Sequence, residues 1–141
     1  MKGQRHKARK VAVQALYQWD MTGQGANEIL SSIPSPEKLG EAEQEYIDAI
    51  VSEIPRRVDE IDSQFKPHIV RAVGSLDPVE KAILRIATWE LMFRPEIPWR
   101  VVIDEAIELS KTFGSDQSYR FINGVLDKVA HETRKAETAQ A

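Results

Sequence analysis

The chain has no cysteine among its 141 residues, which excludes disulfides, a thiolate nucleophile and a cysteine-ligated zinc knuckle. No apolar run approaches the roughly 20 residues that span a bilayer. The N-terminus has no apolar stretch followed by a small-residue cleavage site, so secretion is not expected and the predicted location is cytoplasmic. Period-two alternation of apolar and polar residues is missing too, and no strand is predicted. Acids are absent from the first nineteen residues. The five cations there, Lys2, Arg5, Lys7, Arg9 and Lys10, give a segment of +5, while the rest of the chain carries −8. That asymmetry points to an arm that seeks phosphate on a body that does not. With a net charge of −3, nucleic-acid binding must be local to one face. A content of 42% hydrophobic and 29% charged residues is that of one globular domain long enough to bury a sizeable core.

Apolar spacing of three and four recurs along the chain and predicts helices. Ala8, Val11, Ala12, Ala15, Leu16 and Trp19 mark one face of a first helix ending near Gly23 and Gly25. Ile29 and Leu30 suggest a short turn of helix, and 31–40, with Pro34 and Pro36, reads as a loop. Ile47, Ile50, Val51, Ile54, Val58, Ile61 and Phe65 keep helical phase across Pro55, where a kink or short break is expected, with both halves on the same core. Ile69, Val70 and Val73 suggest another helical piece. Asp77-Pro78-Val79-Glu80 is the clearest helix start: Asp77 caps the free amides, Pro78 suits the first position, and Glu80 completes a capping box. The stripe Val79, Ala82, Ile83, Ile86, Ala87 and Leu91 follows, ending at Arg94-Pro95. A further helix carries Val102, Ile103, Ala106, Ile107, Ser110 and Phe113 up to Gly114. A last one carries Phe121, Ile122, Val125, Leu126 and Val129, with Gly124 assigned to close helix packing. The fold class is all-α, a single-domain bundle of five to seven helices. A flexible tail is expected over 133–141.

No catalytic constellation emerges. His6, His68 and His131 lack metal-site spacing. Asp104, Glu105 and Glu108 read as a solvated acidic face near a helix N-terminus. No glycine follows a strand, so there is no phosphate-cradling loop. The sequence points to no metal, no cofactor and no enzyme activity.

It does supply what holds single-stranded RNA: cations for the backbone and flat side chains for bases. Lys2, Arg5, His6, Lys7, Arg9 and Lys10 form a basic arm over 1–10. Tyr17, off the apolar stripe, suits either stacking or a half-buried rim. A second zone runs from Phe113 to Phe121, where Gly114, Ser115, Asp116, Gln117 and Ser118 offer amides and hydroxyls to base edges beside Arg120. Phe113 and Phe121 would ordinarily be assigned to the core, since both sit at helical spacing with apolar neighbours.

Four stretches, in order, resemble the bacterial transcription antitermination factor NusB family. They are Ala12-Val13-Gln14-Ala15-Leu16-Tyr17, Val79-Glu80-Lys81-Ala82-Ile83-Leu84-Arg85-Ile86-Ala87, Ile103-Asp104-Glu105-Ala106-Ile107-Glu108-Leu109 and Phe121-Ile122-Asn123-Gly124-Val125-Leu126-Asp127-Lys128. The resemblance implies about seven helices in two sub-bundles that share a core, over residues 1–132. It implies a non-catalytic adaptor that binds boxA RNA with the small-subunit ribosomal protein NusE. Other Nus factors and RNA polymerase are indirect partners, and transcription of ribosomal RNA operons is the setting. It places the RNA surface on the basic arm, Tyr17, Glu80, Lys81, Arg85 and the Phe113–Phe121 segment. It places the protein-partner surface on the Asp77–Arg94 helix and its connection, with Trp89, Arg94 and Trp99 as candidate anchors. A homodimer that masks the arm is a resting state it allows, and no membrane is implied. The alternative is a helical RNA-binding module acting with a separate RNA methyltransferase subunit.

Overall fold

The structure, a computed structural model, describes residues 2–32 and 39–139, with side chains from Arg5 onward. The described residues hold eight α-helices and two short 3-10 turns, without a strand. They divide into two compact units, Met1–Arg57 and Val58–Ala141.

The first unit contains α1 (Lys2–Thr22), α2 (Ala26–Ser32) and α3 (Glu41–Arg56). In α1, Ala8, Ala12, Ala15 and Leu16 recur every three or four residues, so they share one side of the helix. All four are buried, as are Ile47, Ile50, Val51 and Ile54 of α3, and α1 packs on α3. Each such aliphatic side chain removed from water is worth about 1.5–3 kcal/mol. α1 stops where the sequence indicated. Gly23 has φ +72° and its N–H donates to the Trp19 carbonyl at 2.8 Å, a left-handed exit open to glycine without a Cβ penalty. α2 is longer than one turn and takes in Ser31 and Ser32, while Pro34 and Pro36 lie outside the described residues.

Pro55 sits in the last turn of α3, and Arg57 leaves helical geometry at φ −112°, ψ 18°. The chain therefore breaks, and α4 (Val58–Phe65) begins anew. Pro55 has no N–H to give the Val51 carbonyl, which weakens the ladder just where it ends. Within their own units, α3 packs on α1 and α2, and α4 packs on α5 and α7.

The second unit continues with 3-10 turns Lys66–His68 and Val73–Ser75, then α5 (Pro78–Phe93), α6 (Trp99–Phe113), α7 (Ser118–Thr133) and α8 (Lys135–Thr138). The helical piece expected around Ile69, Val70 and Val73 reduces to these turns, and Val70 is fully exposed. α5 packs on α4, α6 and α7, and every residue from Glu80 to Leu91 is buried. A helix enclosed on all sides is the centre of its unit. Pro78 occupies the first turn as read, but the Asp77 side chain makes no capping bond. The Glu80 carboxylate accepts from the Ser118 hydroxyl instead, at 2.8 Å, so the capping box is replaced by a tertiary contact.

Two glycine readings also change. Gly124 is exposed, and an added Cβ there would meet nothing within 4 Å, so close packing does not explain it. Gly114 ends α6 in extended geometry, not left-handed. Its need for glycine is steric: a Cβ would lie 2.8 Å from the Ser110 carbonyl oxygen and 3.0 Å from the Ser118 side chain. Beyond Thr133, where the sequence predicts a flexible tail, the chain forms α8, with Arg134 and Thr138 buried. No helix among the described residues is long and apolar enough to cross a membrane.

Candidate nucleic-acid interface

In the first unit, the basic arm is the opening of α1 itself. Its helical pitch sorts the cations. Lys7, Lys10, Gln14 and Tyr17 follow one another at intervals of three and four and so line one face. Lys7, Gln14 and Tyr17 are exposed and Lys10 partly so. From Lys7 to Tyr17 the face runs about 15 Å, at 1.5 Å per residue. Cations thus lead along the helix to the Tyr17 ring, which at 43% exposed is half-buried at the rim and still open to a stacking base. Arg5 and His6 are partly exposed, and the Arg5 guanidinium lies 4.9 Å from the centre of the Tyr46 ring. Arg9 departs from expectation. It is only 2% exposed and lies 6.0 Å from the same ring, so its charge serves the packing of α1 on α3 and not an incoming phosphate. The Lys2 side chain lies outside the described residues.

In the second unit, the turn between α6 and α7 is braced from inside. Ser118 donates its hydroxyl to Glu80 Oε2 at 2.8 Å, while Ser118 Oγ accepts the Ser115 N–H at 3.2 Å. The Ser115 hydroxyl meets Ser118 Oγ at 3.0 Å. Gly114 makes the approach to Ser118 possible. Ser115, Asp116 and Gln117 project outward, exposed, as does Arg120, and Phe113 and Phe121 flank the turn partly buried. The two phenylalanines therefore belong both to the core edge and to the surface.

Glu80, Lys81 and Arg85, read as RNA contacts, are 6–8% exposed. Arg85 gives a two-pronged bond to Asp62, at 2.9 Å from Nε and 2.8 Å from Nη2, which occupies its fork. Glu80 is engaged with Ser118 and lies 3.8 Å from Arg71. All three positions are interior, because α5 is enclosed. Among the partner residues, Trp89 is fully buried and cannot itself be presented to a partner. The guanidinium of Arg94 lies 4.5 Å from its ring centre. Trp99 is 8% exposed, with its ring edge-on to His131 at 5.7 Å and Arg100 4.7 Å from its centre.

Sequence reasoning passed over three residues that complete the turn's surface. Arg71 lies 5.5 Å from the Phe121 ring centre. Lys111 and Arg120 lie 5.6 and 5.7 Å from the Tyr119 ring. Arg120 Nε donates to the Tyr119 hydroxyl at 3.1 Å, and that bond, with the guanidinium's charge, draws the phenol below its usual pKa. Tyr119, an aromatic neighbour of Arg120 in the sequence, carried a usable signal; Arg71, a lone cation beside Ile69, Val70 and Val73, carried none. The arrangement offers cations, stackable rings and backbone groups on a braced turn, which suits recognition of an unpaired strand. No group of three or more His, Asp or Glu able to hold a metal occurs among the described residues. Asp104 and Glu108 are exposed, as a solvated face requires, and Glu105 is buried.

The chain matches a model of the NusB family over residues 6–131. It is 45% identical over 133 residues to the transcription antitermination protein NusB of Pseudoalteromonas atlantica, covering 94% of this chain and 95% of the relative. The namesake protein of Pseudomonas fluorescens is likewise 45% identical, over 94% of this chain and 80% of the relative. Among solved structures, NusB of T. maritima superposes with a TM-score of 0.87 at 31% identity, covering 99% of both chains. A crystal structure of antitermination factors NusB and NusE in complex with double-stranded RNA matches with a TM-score of 0.83 at 30% identity. It covers 94% of this chain and 99% of that one.

Proposed function

Since the chain belongs to the NusB family, we propose that it carries RNA on the exposed face of α1 and on the braced α6–α7 turn. It is a transcription antitermination factor, a non-catalytic adaptor that binds boxA RNA together with NusE. The observation that carries this reading is likeness along almost the whole chain to relatives bearing that one function. A structural neighbour captured with NusE and RNA supports the same pair of partners.

The division of labour follows from exposure. Lys2, Arg5, His6, Lys7 and Lys10 meet phosphates, releasing counterions whatever the sequence. Tyr17, Phe113 and Phe121 stack on bases, while Gly114, Ser115, Asp116, Gln117 and Arg120 read their edges. Glu80, Lys81 and Arg85 hold that surface in shape from below. NusE docks at the α5–α6 connection, on Arg94 and the backbone around Trp99, with Trp89 supporting Arg94 from within. Other Nus factors and RNA polymerase are reached through the bound RNA and partner. The action is cytoplasmic, on nascent ribosomal RNA, and a homodimer that covers the arm is the resting form.

The test is titration of labelled boxA RNA, as single strand and as duplex, with and without NusE at two ionic strengths. Gln117→Ala or Arg120→Ala should lower the preference for boxA over a scrambled strand. Equal affinity of the unaltered protein for boxA and scrambled RNA, with NusE present, would refute the reading.

A further inference from the structure

The α5–α6 connection contains Pro95 and Pro98 and has few groups of its own to satisfy the helix ends beside it. The last carbonyls of α5 have no donors within their helix, and the first amides of α6 have no acceptors. Pro98, at the N-cap of α6, offers no capping side chain. Both deficits are met by residues from the far end of the chain. Arg134 Nε donates to the Leu91 carbonyl at 2.8 Å, and Nη2 to those of Glu90 and Arg94 at 3.2 and 3.0 Å. Its Nη1 donates to the Ile97 carbonyl at 2.9 Å. Glu137 Oε2 accepts the Trp99 N–H at 2.8 Å. Arg134 and Glu137 pair with each other at 2.6 Å.

One ion pair thus sets its cation at the C-terminus of α5 and its anion at the N-terminus of α6, each where the helix dipole favours it. Its bonds end on the backbone of Arg94, Ile97 and Trp99. We propose that Arg134 and Glu137 form a clasp that holds the α5–α6 connection in its docking shape, making them positioning residues for the protein partner. This rests on the reading that NusE docks at that connection. The clasp itself touches no partner. A connection ordered before encounter spares the complex the cost of ordering it on binding, so loosening it should weaken the partner and leave RNA untouched.

The full chain is titrated calorimetrically with purified NusE, and separately with RNA alone. Removing Arg134 would strand the Leu91 and Ile97 carbonyls, take a second donor from those of Glu90 and Arg94, and risk the fold, so Glu137→Ala is the principal variant. It should weaken NusE about fivefold, the weight of one lost helix cap, with RNA affinity unchanged. Glu137→Gln keeps an oxygen for the Trp99 N–H and should recover part of that loss. Arg94→Ala reports on the docking surface itself. If Arg94→Ala weakens NusE while Glu137→Ala does not, the clasp is overturned and the docking surface stands. If Arg94→Ala and Trp99→Ala both leave NusE binding intact, the docking surface is wrong and the clasp falls with it. Equal losses for NusE and RNA in Glu137→Ala would mean general destabilisation and would also overturn it.

Discussion

Replacing the arm's cations one class at a time should separate charge that meets RNA from charge that holds the protein together. Lys7 is exposed and Lys10 partly exposed on the face that leads to Tyr17. If each neutralises one phosphate, Lys7→Ala with Lys10→Ala flattens the log–log salt dependence by about 1.4, at roughly 0.7 per phosphate on a single strand. The melting temperature should hardly move, since surface changes are usually within about 0.5 kcal/mol. Arg9→Ala should do the reverse. With 2% exposure and a ring contact to Tyr46, its loss removes packing and a cation–π contact and costs about 1–3 kcal/mol. At a few degrees per kcal/mol for a chain of this size, the shift is readily seen by circular dichroism. The salt slope should stay where it was. Fluorescence anisotropy with a labelled strand at four or five salt concentrations gives the slope. A slope in Arg9→Ala flattened as much as in Lys7→Ala would show that Arg9 leaves the interior on binding, and the assignment from burial would be wrong.

Gly124→Ala should stabilise the protein by about 0.4–1 kcal/mol, since the site is helical and open; a lower melting temperature would show that its surroundings are closed. Glu137 is held below the ordinary carboxylate range, first by the Trp99 amide and then, against the opposing effect of burial, by Arg134. The unfolded chain therefore takes up its proton at higher pH than the native one. Its stabilisation is present above the ordinary carboxylate pKa and is lost as pH falls through the depressed native value. With that side chain 37% exposed, the effect is small. Thermal melts should set Glu137→Gln below the parent at pH 7, with the gap narrowing as pH falls below the ordinary carboxylate range, and a gap that does not narrow in acid would count against the ion pair.

The sequence foretold helices wherever one face was apolar. Ala8, Ala12, Ala15 and Leu16, or Ile122, Val125, Leu126 and Val129, announce their buried sides by spacing alone. It misread places where a polar residue answers to a distant segment. Glu80 looks like a cap because Asp77 is three residues away, yet its carboxylate meets Ser118, thirty-eight positions on. Lys81 and Arg85 look like surface charge on an amphipathic helix; enclosure of α5 and the Asp62 partner make them interior. Arg134 sits in a stretch without apolar periodicity, so nothing local marks it as buried. The arm and the α6–α7 turn were found by residue type. Which cations face outward needed the helical phase fixed by Tyr46 and the core beneath.

The anchoring of α1 at Tyr46 decides what kind of ligand-grasping device the N-terminus can be. Basic tails commonly stay loose and fold around nucleic acid, with a large negative heat-capacity change and a steep entropic penalty. Here the helix is already wound and pinned through two of its own arginines. An incoming strand must lie along a rod, and calorimetry of the encounter should carry the small heat-capacity signature of two preformed surfaces meeting.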